Sequence, residues 1–98
     1  MEILKKKSDG ALLVELKGRL DTTTAPQLDQ ELHASLDGVT DLTLDFSELE
    51  YVSSAGLRVI LAAQKTMNKQ GSMKLLHVNS DVMEVFEITG FADILTIE

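Results

Sequence analysis

Leu49-Glu50-Tyr51-Val52-Ser53-Ser54-Ala55-Gly56-Leu57-Arg58-Val59-Ile60 is where the chain changes its period. Just upstream, Leu42-Thr43-Leu44-Asp45-Phe46 alternates apolar and polar residues, the period of a strand. Downstream, Leu57, Ile60, Leu61 and Met67 fall on one side of a 3.6-residue helix. The two serines and two small residues between them therefore mark a strand-to-helix junction. A helix entered there presents backbone N–H groups with no intrahelical acceptor, and a serine hydroxyl is a preferred cap for one of them.

The charges around this junction leave a second reading open. A helix N-terminus favours acids, yet no Asp or Glu lies between Ser53 and Leu57, and the first charge is Arg58. A cation in the first turn opposes the macrodipole by about 0.3–1 kcal/mol. Phosphate on a serine would reverse that balance, since orphan N–H groups and the positive dipole end form an anion site. It would add about −1.5 to −2 of charge. Capping and phosphate acceptance both fit these residues. Ser53, one residue further from the apolar stripe, is the more natural cap, which leaves the Ser54 hydroxyl free.

Working outward, Glu2 to Lys7 and Ala11 to Leu16 read as strands joined by Ser8-Asp9-Gly10, and they predict a hairpin. Lys5-Lys6-Lys7 fits the solubilising charge of an edge strand. Asp21-Thr22-Thr23-Thr24 then opens a helix. Thr24 and Gln27 have capping-box spacing, Pro26 suits the first turn, and Leu28, Leu32 and Leu36 form an apolar stripe. Asp21 and the threonines read either as turn and cap residues or as a surface loop beside the serines. Asp37-Gly38 stops that helix. A helix over Ser54–Gln70 and a strand over Met73–Val78 complete a strand–helix–strand unit, with Gly71 suited to a left-handed cap. The last helix begins near Ser80-Asp81 and ends at Gly90, and Ile94 to Ile97 adds a short strand or packs. Leu44, Phe46, Leu57, Ile60, Leu61 and Leu75 are the expected centre of the core.

Composition narrows the function. The 98 residues suit a single domain over 1–98, and 44% hydrophobic content suffices for a core. Apolar runs are too short to span a bilayer, no charged-then-apolar leader opens the chain, and a cytoplasmic location is expected. Nine bases against 16 acids give a net charge of −7, which disfavours direct nucleic-acid and membrane partners and favours a basic patch on a protein. The absence of cysteine removes disulfides, thiol nucleophiles and thiolate metal sites. His33 and His77 lack the helical pairing of a zinc site, no phosphate loop is present, and no G-x-S-x-G elbow activates a serine. The expectation is a non-enzyme without metal or cofactor.

Tyr51 to Leu61 resembles the signature of STAS domains, the anti-sigma-factor antagonists of bacteria. Gly18-Arg19-Leu20-Asp21 with Ala25-Pro26-Gln27-Leu28 is similar to that family's first strand-to-helix junction, and Val82 to Phe91 to its closing helix and turn. The resemblance implies an α/β fold of two layers, a mixed four- to five-stranded sheet with helices mainly on one face. It also implies a phosphorylation-regulated antagonist that binds an anti-sigma factor, itself a serine-protein kinase, when unphosphorylated, with a phosphatase to reset it. Carried onto this chain, the partner-binding residues are Asp21, Thr22, Thr23, Thr24, Ser53, Ser54, Gly56, Leu57 and Arg58. The phosphorylation site is Ser54, with Ser53 as the alternative. The family pattern is Asp-Ser-Ser/Thr-Gly-Leu; here Ser53 replaces the Asp and Ala55 replaces the second hydroxyl. A constitutive STAS-like scaffold or transporter-associated module, its serines only capping the helix, is the alternative. Nucleotide binding, proposed for some members, has no support from these residues.

Overall fold

Strand alternation builds the centre of the molecule. In the computed structural model, which describes residues 1–98, Leu12, Val14 and Leu16 of β2 (Ala11–Leu20) are buried on one face. Leu42, Leu44 and Phe46 of β3 (Asp41–Val52) and Met73 and Leu75 of β4 (Ser72–Leu76) join them there. The sheet has the order β1-β2-β3-β4, with β1 (Glu2–Ser8) antiparallel to β2 and the other pairs parallel. Asp9 and Gly10 join the hairpin with φ of 43° and 87°, the positive pair whose twist matches that of the strands. Helices α1 (Ala25–Ser35), α2 (Ser54–Gln70) and α3 (Ser80–Thr89) cover the apolar face, lending Leu28, Leu32, Ile60, Met67, Val82 and Phe86 to the core. The Phe46 and Phe86 rings meet with centroids 6.4 Å apart. The uncovered face carries residues of the opposite parity, including the Lys6–Glu15 pair. This is the expected mixed two-layer α/β architecture.

Several elements depart from the sequence reading. Strand β3 was expected to end at Phe46 but continues to Val52. Register shifts against β2, between Glu15 and Lys17 and between Gly18 and Arg19, each insert an extra β3 residue. Burial along β3 therefore steps from Phe46 to Leu49 to Val52, which breaks the period of two without breaking the pairing. Strand β4 stops at Leu76, short of the expected Val78, because His77 turns into the left-handed region at φ 59°. The sheet has four strands, and Ile97 adds only a parallel bridge to Leu75.

Leu61 is half-buried at the flank of the core, unlike the other five expected centres. Gly71 is not a left-handed cap: its φ is 174°. A Cβ there would lie 1.9 Å from the Thr40 carbonyl oxygen, so glycine is required by close approach. The lysine run is also more structural than expected, since Lys5 reaches across to Glu31 and Ser35 of α1.

Candidate functional site: a serine-capped helix beside a threonine loop

The ends of β2 and β3 bring the two sequence-selected segments together. Leu20 pairs with Val52, and the Ser53 N–H donates to the Leu20 carbonyl at 2.8 Å. The Asp21 loop and the α2 N-terminus thus leave the sheet side by side, outside the carboxyl ends of adjacent parallel strands, where ligand and partner sites of this architecture gather. Gly56 allows the approach. A Cβ on it would lie 2.6 Å from Leu20 Cγ and 3.0 Å from the Leu20 carbonyl oxygen.

Ser53 is the N-cap, extended at φ −90° and ψ 175°, and its Oγ accepts from the Gly56 N–H at 3.2 Å. Ser54 is the first helical residue and is exposed, with Arg58 one turn on and also exposed. Gly56 and Leu57, expected among the partner-facing residues, are buried instead. Their place is positional: Leu57 anchors the helix start in the core while Gly56 lets it sit against Leu20.

The threonine loop is organised by Asp21, and the expected Thr24–Gln27 capping box is absent. Thr24 has helical φ and ψ and makes no side-chain cap. Its hydroxyl donates to the Arg19 carbonyl at 2.8 Å and accepts from the Asp21 N–H at 2.8 Å, while Gln27 turns to the Met1 carbonyl. The Asp21 carboxylate organises the turn before α1, accepting from the Thr23 hydroxyl at 2.7 Å and from the Thr23 and Thr24 N–H groups at 3.0 and 3.1 Å. The Thr23 hydroxyl, then the Thr24 N–H, hold the carboxyl below its ordinary pKa. Thr22 and Thr23 are exposed and Thr24 is half-buried.

One contact near this end of the sheet, on its uncovered face, escaped the sequence reading. Arg19 and Tyr51 are paired across β2 and β3, and the guanidinium lies 4.5 Å from the Tyr51 ring centroid. Tyr51 is 40% exposed, a large apolar surface directly before the serines. Both residues stood within segments of interest, but only the second register shift of β3 sets them opposite each other. The histidines lie elsewhere in the bonding pattern: His77 Nδ1 is 3.0 Å from an Asp45 carboxylate oxygen, and His33 Nδ1 is 2.9 Å from the Asp29 carbonyl. Neither is hydrogen-bonded to Ser54.

Fold and site together define a two-layer α/β module in which a serine-capped helix end and a hydrogen-bonded threonine loop lie side by side. The chain belongs to the STAS domain family, whose match covers residues 2–98. It is 40% identical to BtrV of Bordetella bronchiseptica, an anti-sigma factor antagonist by name, over 99% of this chain and 85% of that one. It is 31% identical to the anti-sigma-B factor antagonist of Bacillus subtilis, over 94% of this chain and 85% of the relative. An anti-sigma factor antagonist from Thermotoga maritima superposes with a TM-score of 0.90 at 21% identity, covering 97% of this chain and 84% of that one. Bacillus SpoIIAA in its phosphorylated form gives 0.77 at 18% identity, covering 99% and 91%. These last two likenesses speak to the fold.

Proposed function

We propose that this protein is a non-catalytic, cytoplasmic anti-sigma factor antagonist switched by phosphorylation. Unphosphorylated, it binds an anti-sigma factor with serine-kinase activity through the Asp21–Thr24 loop and the Ser53–Arg58 helix end, freeing a sigma factor. The kinase phosphorylates Ser54 and is released, and a phosphatase restores the binding form. The observation that carries this reading is the division of labour between the serines: Ser53 is engaged as cap, while Ser54 is exposed on the first turn. A phosphate there meets the unpaired N–H groups and positive end of α2, so it changes charge and bulk at the contact without opposing the fold.

Phosphopeptide mapping of protein from the native host, with Ser54→Ala and Ser54→Asp variants, tests it. Ser54→Ala should bind the kinase and resist modification, and Ser54→Asp should bind poorly while folding normally. Full phosphorylation of Ser54→Ala would move the site to Ser53. A second reading, a constitutive scaffold, draws on Ala55, which stands where the family pattern has its second hydroxyl before Gly56. Failure of both Ser53→Ala and Ser54→Ala to alter modification or binding would leave the serines only their capping role.

A further inference from the structure

Helix α2 is electrostatically unlike the rest of the molecule. In a chain of 16 acids and net charge −7, it carries Arg58, Lys65 and Lys69 and no acid at all. All three cations are exposed, and none forms an ion pair. Elsewhere Lys5, Lys6 and Lys17 are paired, with Glu31, Glu15 and Glu48, while Lys7, Arg19 and Lys74 form no ion pair; Lys7 and Arg19 stand on strands that also carry acids. Arg58 and Lys65 lie two turns apart, roughly 10 Å along one helix face. Both line a groove of about 370 Å³ that also takes in Leu61, Asn68 and Ile94. Ile94, at 57% exposed, is one of the chain's few large apolar side chains left in solvent. The groove thus joins unpaired positive charge to exposed apolar surface and begins at the residue one turn beyond Ser54.

We propose that this groove docks an acidic, amphipathic segment of the anti-sigma factor, with its carboxylates on Arg58 and Lys65 and an apolar side chain between Leu61 and Ile94. The inference rests on the function proposed above and adds the chemistry of the partner's contact. Charge complementarity selects the occupant. The surface outside α2 is more acidic than the chain average, so an extended polyanion such as nucleic acid or an anionic bilayer meets repulsion beyond the groove, whereas a short acidic segment does not. The groove also couples to the switch. Arg58 is shared, and a phosphate on Ser54 draws its guanidinium toward the helix end and away from the partner's carboxylate.

The test measures affinity for the native host's anti-sigma factor by calorimetry, using the full chain as wild type, Lys65→Glu, Ile94→Asp and, as a control on the opposite edge, Lys7→Glu. Reversing Lys65 should weaken binding by about five- to tenfold, with a smaller salt dependence than wild type. Ile94→Asp should weaken it comparably, with melting temperatures preserved in both and Lys7→Glu without effect. If both groove variants bind like wild type while Ser54→Asp is lost, the groove proposal falls and the proposed function stands. An anti-sigma factor that does not bind the wild type overturns both. Lys65-dependent binding to phosphatidylglycerol vesicles or duplex DNA, with anti-sigma-factor affinity unchanged in Lys65→Glu, also overturns it.

Discussion

Neighbouring residues of one chemical type carry different duties here. Ser53 spends its oxygen on the Gly56 N–H, and Ser54 has no such engagement. Ser53→Ala should therefore lower unfolding free energy by about 1 kcal/mol, the ordinary effect of losing a cap. Ser54→Ala should leave it nearly unchanged in the same urea titration. Asp21 is a different case, because its carboxylate holds the loop together. With the Asp21 carboxylate accepting from Thr23 and Thr24, Asp21→Ala should lower the melting temperature as well as weaken partner binding. Its folded-state pKa is depressed, so its stabilising contribution is present above the unfolded value near about 4 and is lost as pH falls through the folded value. A melting series from neutral to acid pH should show this loss in the wild type. The Asp21→Ala curve should converge on it at the acid end.

Among the elements, α2 links core and surface. Its inward face is Leu57, Ile60, Ala63 and Met67, with Ile60 fully buried, while Leu61 stands half-exposed at the groove. Ile60→Ala should cost about 2–5 kcal/mol, as for a packed site that cannot collapse. Leu61→Ala should cost distinctly less, because part of its surface is already in water and little cavity forms. Equal losses for the two in denaturant unfolding would contradict this assignment of faces. Strand β3 shows how an element can hide from its own pattern. Leu49 belongs to the core but follows the first inserted residue, so alternation counted from Leu42 places it on the wrong face, and the second insertion returns Val52 to the counted parity.

At the scale of the molecule, the two ends of the sheet do different work. At the end away from the serines, the Thr40 and Asp41 N–H groups donate to the Gly10 carbonyl, and the Ser72 N–H donates to Thr40. The hairpin turn, the start of β3 and the start of β4 are thereby tied together, with Gly71 pressed on the Thr40 carbonyl. Gly71→Ala has no flexible neighbour to displace there, since the obstructing atoms are backbone. It should destabilise by about 1–3 kcal/mol or more, measured by thermal unfolding, while the folded fraction keeps its affinity for the partner. At the opposite end, the Asp21 loop and the serine-capped helix leave the sheet side by side, while Arg19 and Tyr51 pair on the uncovered face. No helix of the chain is long and apolar enough to cross a membrane.

Local sequence determined the order of elements, the hairpin, most of the core positions and the Ser53 cap, because period, turn chemistry and capping act over a few residues. The tertiary structure alone decided what crosses between strands. It set Tyr51 under Arg19, brought the Asp21 loop against the serines, made Gly71 a point of close approach and turned the Thr24 hydroxyl away from the first turn of α1. The first three depend on register between segments some 30 residues apart, where insertion of a single residue changes which side chains face each other. The last depends on the Arg19 carbonyl, which the strand end presents to the Thr24 hydroxyl and which keeps that hydroxyl from capping α1.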